Sequence, residues 1–259
     1  MTSLGTTGSP WLRTFRAAAP DTPTLVVFPH AGGGAGFYRP LAQSFPAGVG
    51  VRVIQYPGRE ARAGEPLVDD MAVLADQAAT ALLPLLNRPL AILGHSMGAL
   101  VAYEVTRRLE AEGAVLERLF ASARHPPAAH RGSGHRKHLL DEEHFTQMLR
   151  DTGGTPSALL DDPEMRAYLL PIVRNDYRLI ETYVPAPGPA LRTGIVSIAA
   201  ADDGTVSAAQ VEGWRRATRG DFEHLTFPGG HFYLLERPDD LSATVLSRLG
   251  WGPGGSGTR

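Results

Sequence analysis

The sequence contains no cysteine among its 259 residues. This absence excludes disulfide bonds, thiolate metal sites, iron–sulfur clusters and a cysteine nucleophile. The chain also lacks an excess of positive charge, because 25 lysine and arginine residues face 27 aspartate and glutamate residues, for a formal net charge of −2. Nucleic-acid-binding proteins normally carry a strong basic excess, so we expect no nucleic-acid partner.

Long apolar runs are missing too. A transmembrane helix needs about 18 or more consecutive apolar residues, and no stretch of the sequence comes near that length. Residues 1–10 contain neither the basic nor the apolar segment of a secretory signal peptide. We therefore expect a cytoplasmic protein that makes no membrane contact. Residues 1–10 and 252–259 are small, polar and aperiodic, which predicts disordered tails.

The composition is that of a globular protein, with 43% hydrophobic and 20% charged residues. Short apolar runs predict six strands, at residues 24–28, 51–55, 89–93, 116–121, 193–199 and 222–227. Helical spacing predicts helices at residues 70–86, 99–112 and 241–249. Strands that alternate with helices of about ten or more residues are typical of an α/β fold, in which helices cover both faces of a mostly parallel sheet.

Residues 125–185 interrupt this alternation, because they carry no strand signal. Helical spacing there predicts two helices, at residues 141–151 and 163–183. An insertion of this kind between two strands indicates a helical lid over the edge of the sheet, within a single domain that spans residues 1–259. Two further packing helices would give the same pattern, and periodicity does not separate these interpretations.

A candidate nucleophile lies at residues 94–98, which read GHSMG. The pentapeptide follows a predicted strand and opens a predicted helix, which is the context that the G-x-S-x-G nucleophile elbow requires. The glycines allow a sharp turn that exposes the Ser96 hydroxyl at the start of the helix. Unpaired amides at that helix end favour developing negative charge. Ser96 is therefore the candidate nucleophile.

A serine nucleophile needs a basic histidine, and the histidine needs an orienting carboxylate. In α/β-hydrolases these follow in the order serine, acid, histidine. Of the nine histidines, only His224 and His231 come after the fifth predicted strand. His224 lies inside a strand, whereas His231 follows a Pro-Gly-Gly turn at a strand's carboxyl end, where sites gather in open α/β sheets. We predict that His231 is the base. For the acid, Asp202 and Asp203 both follow the fifth strand, and spacing does not choose between them.

A glycine-rich loop and a histidine-rich stretch each suggest a further kind of site. Residues 28–34 read FPHAGGG after the first predicted strand, which resembles the HGGG-type oxyanion loop; the second oxyanion amide would be that of Met97. The same loop does not match the G-x-G-x-x-G pattern of a dinucleotide site. The histidines of residues 125–144 match no zinc-ligand spacing and are interspersed with arginine and lysine, so we expect no metal.

Taken together, these motifs resemble those of the type II thioesterases, the stand-alone editing hydrolases of polyketide synthases and non-ribosomal peptide synthetases. The resemblance covers nearly the whole chain. It is carried by residues 28–41 (FPHAGGGAGFYRPL), 55–60 (QYPGRE), 94–104 (GHSMGALVAYE), 227–232 (FPGGHF) and, in the lid, 153–156 and 170–177.

The resemblance implies an α/β-hydrolase fold and a Ser96–His231–Asp203 triad, because the family has Asp-x-x-Val where this chain has DGTV at residues 203–206. It also implies backbone amides of Ala31 and Met97 as the oxyanion hole, and no metal or cofactor. The implied reaction is hydrolysis of acyl thioesters on the phosphopantetheine arm of an acyl or peptidyl carrier protein, which removes stalled or aberrant acyl groups. We expect the enzyme to be a monomer.

Two alternatives remain: a carboxylesterase or lipase that uses the same triad on oxygen esters, and a non-catalytic ligand-binding protein of the same fold. The family further implies a basic rim that contacts acidic carrier proteins. Its candidates are Arg59 and Arg62 after the second predicted strand, with Arg131, Arg136 and Lys137 in the lid. The acyl group that the enzyme prefers does not follow from the sequence.

Overall fold

A computed structural model of the chain describes residues 9–17, 19, 21–130 and 136–251. The predicted tails fall almost entirely outside these residues and stay predictions. Within the described residues, no helix combines the length and the apolar character needed to cross a membrane.

The centre of the molecule is a seven-stranded sheet with the strand order β1-β3-β2-β4-β5-β6-β7. Strand β1 is antiparallel to β3, and every other neighbouring pair is parallel. The strands are β1 Leu12–Arg16, β2 Thr24–Phe28, β3 Gly50–Ile54, β4 Leu90–His95, β5 Arg118–Ser122, β6 Ile195–Ala200 and β7 Phe222–Phe227. The mostly parallel sheet and all six predicted strands are confirmed, with boundaries shifted by no more than a few residues.

The seventh strand, β1, is the one that the sequence analysis missed. Its five residues, LRTFR, contain three polar side chains, and none of the five is fully buried. A half-exposed strand at the edge of a sheet carries neither the continuous apolar run of a central strand nor a clean alternation. Its pairing with β3 depends on a partner almost forty residues away, for example Arg13 with Val53.

Helices cover both faces of the sheet. All five residues of β2 are buried, and alternate side chains enter different apolar clusters, with Leu25 and Val27 on one face and Val26 and Phe28 on the other. The flanking helices are α1 Arg39–Ser44, α2 Met71–Leu82, α3 Met97–Ala111, α7 Ala208–Glu212, α8 Tyr233–Glu236 and α9 Pro238–Leu249. The three predicted flanking helices correspond to α2, α3 and α9 and are confirmed.

Between β5 and β6 the chain forms α4 Glu142–Thr152, α5 Ser157–Asp161 and α6 Pro163–Thr182. The two helices predicted there are confirmed as α4 and α6, whereas the five residues of α5 are too few for periodicity to reveal. These helices share a small apolar cluster of their own, separate from the two sheet clusters, formed by Phe145, Leu149, Leu160, Leu170 and Val173. The division into one domain with a lid subdomain stays a prediction.

One buried ion pair connects α6 to the sheet. Asp176 of α6 is 2% exposed, and Arg59, in the loop after β3, is 4% exposed. The guanidinium donates to both carboxylate oxygens, from Nη2 to Oδ1 at 2.8 Å and from Nη1 to Oδ2 at 2.5 Å. The amide of Gly32, in the loop after β2, also donates to Asp176 Oδ2 at 2.7 Å. A single carboxylate therefore joins the longest helix to two loops of the sheet.

We expect Asp176→Ala to lower the free energy of unfolding by about 3–5 kcal/mol, because the variant leaves the Arg59 guanidinium buried without a partner. The measurement is urea denaturation followed by circular dichroism. The matched control is Asp76→Ala, which removes an exposed partner of Arg108 and should cost no more than about 1 kcal/mol. Equal losses in the two variants would contradict the prediction.

Candidate active site

Ser96 occupies a strained turn between β4 and α3. Its φ and ψ are +54° and −118°, a backbone conformation that residues other than glycine rarely adopt. The Ser96 amide donates to the carbonyl of Ser122 on the neighbouring strand at 2.8 Å, which holds the turn against β5. The sequence-predicted elbow thus has the sharp geometry that exposes a nucleophile.

The two glycines of the pentapeptide are required by close contacts rather than by their own φ angles. A Cβ atom added to Gly94 would lie 2.2 Å from the carbonyl oxygen of Gly98. A Cβ atom added to Gly98 would lie 2.0 Å from the carbonyl oxygen of Phe28, at the end of β2. Any side chain at either position would therefore push the elbow away from the sheet.

His231 follows β7, and its Nδ1 atom lies 2.7 Å from Asp203 Oδ2. The Asp203 side chain is fully buried, and that of His231 is 9% exposed. Thr205 also contacts this pair, because its amide and its hydroxyl donate to Asp203 Oδ1 at 2.7 and 2.6 Å. Burial raises the pKa of Asp203, but the hydrogen bonds from His231 and Thr205 outweigh it, so the net shift is downward and the carboxylate stays charged.

The two aspartates that spacing left open differ in this structure. Asp203 turns its carboxylate toward His231, whereas Asp202 is exposed. The Asp202 amide donates to the carbonyl of Gly229 at 2.9 Å, which ties the loop after β6 to the loop after β7. The main chain of Asp202 therefore supports the loop that carries His231, while its side chain is in solvent.

Ser96 and His231 line one cavity at the carboxyl ends of the strands, with a volume of about 180 Å³. No hydrogen bond joins the Ser96 hydroxyl to the imidazole in the part of the chain that the structure describes. Substrate-free sites often show such a bond long or unformed. The structure thus brings His231 and Asp203 into contact and gives Ser96 and His231 a common cavity.

The two candidate oxyanion amides are without acceptors among the described residues. Ala31 lines the cavity, and Met97 is the first residue of α3, where main-chain amides lack partners within the helix. Neighbouring amides of the loop after β2 are committed elsewhere: Gly32 donates to Asp176, and Gly33 donates to the carbonyl of His30 at 3.0 Å. The loop is therefore fixed on both sides of the Ala31 amide.

Gly32 is the position at which this loop meets the lid. Its φ is +79°, and an added Cβ would lie 2.6 Å from Val173 Cγ2 of α6. Glycine is required there both for the left-handed backbone and for the close approach of the helix.

The prediction that Arg59 and Arg62 belong to a basic rim is wrong, because both are buried. Arg59 pairs with Asp176, while Arg62 pairs with Glu65 and packs its guanidinium over the Trp11 ring at 4.3 Å from the centroid. Their charges are neutralised by partners that the sequence motif does not contain. Of the lid candidates, Arg136 is exposed, Lys137 lines the cavity, and residue 131 lies outside the described residues.

The structure also adds residues that sequence reasoning missed. Thr205 contacts both Asp203 and His231, and its position two residues after an aspartate is a common signal for a local hydrogen-bonded turn. Asp176 contacts Gly32 across a sequence separation of 144, for which no local signal exists. Arg124, in the loop after β5, and Glu181, on α6, line the cavity.

The described histidines between residues 125 and 144, which are His125, His130, His138 and His144, do not all converge on one point. His138 pairs with Glu181 and His144 pairs with Asp141, at 2.5 and 2.7 Å. Across residues 9–17, 19, 21–130 and 136–251, no group of three or more histidine, aspartate or glutamate side chains is arranged to hold a metal ion.

Comparison with known proteins gives a consistent result. The profile of the thioesterase domain family matches residues 23–249. A probable cadicidin biosynthesis thioesterase of Streptomyces griseus is 39% identical, over 96% of this chain and 68% of its own. A protein of Brevibacillus parabrevis named linear gramicidin dehydrogenase LgrE is 36% identical, over 93% of both chains.

Among solved structures, the type II thioesterase BorB from the borrelidin biosynthetic cluster superposes with a TM-score of 0.86 and 39% identity, over 95% of this chain and 100% of BorB. The predicted α/β-hydrolase fold class is thereby confirmed, and so is the resemblance on which it depended. The protein is a hydrolase of thioesters, and the chain belongs to the thioesterase family.

Proposed function

We propose that this enzyme hydrolyses acyl thioesters carried on the phosphopantetheine arm of a carrier protein, and that it removes stalled or aberrant acyl groups in polyketide or non-ribosomal peptide biosynthesis. The observation that carries the proposal is the strained Ser96, which shares its cavity with the hydrogen-bonded His231–Asp203 pair. The names of the relatives support a biosynthetic pathway, since one is a probable cadicidin biosynthesis thioesterase and the other a type II thioesterase from the borrelidin biosynthetic cluster.

In the proposed mechanism, Asp203 accepts a hydrogen bond from Nδ1–H of His231, so that Nε2 is free to take the proton of the Ser96 hydroxyl. The serine oxygen attacks the thioester carbonyl, and the amides of Ala31 and Met97 donate to the developing oxyanion. Loss of one such donor typically costs about 3–4 kcal/mol. His231 then gives its proton to the departing thiol. Water, activated by the same imidazole, attacks the acyl-Ser96 ester and releases a free acid.

The lid forms part of this proposal. Residues from the loop after β5 and from α4 and α6 line the cavity together with Ser96, among them His125, Leu149, Tyr177 and Ile180. A roof of this kind shields the reacting groups from bulk solvent and leaves an opening for the arm, while the carrier protein stays outside.

A dehydrogenase activity, as the name of the Brevibacillus relative would imply, has little support in the loop after β2. That loop leads into a single 3-10 turn, Ala35–Tyr38, rather than into a long helix that could bind a pyrophosphate. The Glu60 carboxylate accepts from the Gly36 amide at 3.1 Å. A negative charge at this position repels the phosphates that a dinucleotide site must hold.

The proposed reaction is tested with carrier proteins loaded with acyl groups of different lengths. We expect the wild-type enzyme to release free acid from short acyl-carrier thioesters, and the Ser96→Ala variant to release little. Mass spectrometry of the phosphopantetheine arm measures the release. An acyl-pantetheine thioester and its oxygen-ester analogue form the second comparison. Faster hydrolysis of the oxygen ester would favour the carboxylesterase alternative, and binding without hydrolysis would favour the non-catalytic one.

The triad itself predicts a non-additive loss. Ser96→Ala and His231→Ala should each lower kcat on the order of 10⁴-fold or more, and the double variant should be little worse, because the two residues act on one proton. Steady-state kinetics with a small acyl thioester measures all three variants. Multiplicative losses in the double variant would show that the residues act independently.

The two aspartates provide a matched pair of substitutions. Asp203→Asn should lower kcat on the order of 10⁴-fold, because the amide cannot accept the Nδ1 proton and hold the imidazole in the required tautomer. Asp202→Asn should stay within about twofold of the wild type, because its side chain is in solvent. The opposite ranking would overturn the assignment of Asp203.

A further inference from the structure

Arg124 lies just beyond β5 and lines the cavity that contains Ser96 and His231. Its carbonyl accepts a hydrogen bond from Trp214 Nε1 at 2.7 Å. The preceding residue, Ala123, donates its amide to the carbonyl of Ile198 at 2.8 Å. The main chain at Arg124 is thus held by contacts that do not involve its side chain.

The guanidinium of Arg124 has no carboxylate partner. Among the described residues no aspartate or glutamate oxygen lies within 4.0 Å of it, and the residues outside that set contain neither amino acid. Among the described residues, the side chain makes one hydrogen bond, from Nη2 to His130 Nδ1 at 3.2 Å, and the buried Nε has no acceptor. Arg124 is half-buried, and a charge that is partly withdrawn from water without a counter-ion is costly to the fold.

Other groups of the cavity do not compensate this charge. The Glu181 carboxylate is committed to the lid segment, where it accepts from the amides of Lys137 and His138 at 2.9 and 3.1 Å and pairs with the His138 ring. Lys137 brings a second cation to the cavity wall. Two cations therefore face one carboxylate that is already occupied.

The neighbouring imidazoles respond to this environment. Burial, followed by the charge of Arg124, lowers the pKa of His125 to about 4 and also lowers the pKa of His130. Both rings are therefore neutral near pH 7. Burial lowers the pKa of Arg124 to about 10, which leaves the guanidinium charged at that pH. The positive charge of this part of the cavity thus comes from Arg124 and Lys137.

We propose that Arg124 binds a carboxylate on the acyl group of the substrate, so that the enzyme accepts acyl thioesters that carry a second, free carboxylate. This inference rests on the proposed thioester hydrolysis at Ser96. A carboxylate can accept two parallel hydrogen bonds from a guanidinium, which supplies both the missing counter-ion and the missing acceptors.

The phosphate of the phosphopantetheine arm is the other anion that the substrate would bring. It is separated from the thioester by the whole length of the arm, whereas Arg124 shares with Ser96 a cavity of only about 180 Å³. An anion that Arg124 holds within this cavity would thus belong to the acyl side of the scissile bond. The acyl carboxylate is therefore the favoured partner.

The test compares two acyl groups of equal size, malonyl and 3-methylbutanoyl, as thioesters of N-acetylcysteamine, which carries no phosphate. The readout is the ratio of kcat/KM for malonyl to kcat/KM for 3-methylbutanoyl. We expect Arg124→Gln to lower this ratio at least tenfold, and Arg124→Lys, which keeps the charge but not the planar fork, to lower it less. Arg13→Gln removes an exposed arginine from β1, at the opposite side of the sheet, and should leave the ratio unchanged.

An unchanged ratio in Arg124→Gln overturns the inference, and so does an equal loss on both acyl groups, which indicates a structural role. Thioesters of the same two acyl groups with phosphopantetheine distinguish the acyl carboxylate from the phosphate. If Arg124→Gln lowers kcat/KM only for the phosphopantetheine thioesters, whichever acyl group they carry, then Arg124 binds the phosphate and the inference is overturned. Calorimetry of malonyl-N-acetylcysteamine with Ser96→Ala, with and without Arg124→Gln, measures binding without turnover; equal affinities overturn the inference. A wild-type enzyme that hydrolyses neither thioester contradicts the proposed function instead.

Discussion

The buried carboxylate of Asp176 is the constraint on which the geometry of the site depends. It accepts three hydrogen bonds, two from Arg59 and one from the Gly32 amide, and so joins a lid helix to the loops after β2 and β3. Because Gly32 is adjacent to Ala31, the ion pair fixes the loop whose Ala31 amide is proposed to bind the oxyanion. A contact that looks structural would thus also orient a catalytic dipole.

A second electrostatic feature surrounds His231. The centroid of the buried His95 ring lies 5.2 Å from that of His231, and the centroid of the buried His30 ring lies 6.2 Å from that of His95. Burial, followed by the charge of His231, lowers the pKa of both buried rings. Both therefore stay neutral near pH 7. Of these three imidazoles, only His231 has a carboxylate within 2.7 Å. His231 is therefore the imidazole most able to hold the proton that the proposed mechanism takes from Ser96.

Much of the fold could be predicted because local signals were strong. Continuous apolar runs revealed the buried parallel strands, and helical spacing revealed α2, α3, α4, α6 and α9. The elbow follows from Gly94 and Gly98, whose positions are dictated by close backbone contact, whereas the loop of His231 contains Gly229, whose φ is +106°. The resemblance to the family, rather than the spacing, distinguished Asp203 from Asp202.

The remaining features depend on contacts between distant residues. Nothing near Arg59 in the sequence shows that its partner comes from a helix more than a hundred residues away, so its burial could not be foreseen. Strand β1 becomes visible only through its pairing with β3. The isolation of Arg124 is likewise a property of the assembled cavity, because it consists of the absence, among the described residues, of any carboxylate within ion-pair distance of the guanidinium.

Backbone strain is concentrated where this chemistry lies. Within the described residues, three residues other than glycine have a positive φ: Glu60, Ser96 and Ala123. Glu60 follows Arg59, Ser96 lies in the elbow, and Ala123 precedes Arg124. Such conformations cost on the order of 1–3 kcal/mol each. At Ala123, glycine would relieve the strain but would enlarge the conformational entropy of the unfolded chain. The strained backbone at this edge of the sheet therefore lowers the stability of the folded enzyme. Relieving the strain at Glu60 or Ala123, while leaving Ser96 unchanged, is a route to a more heat-resistant enzyme.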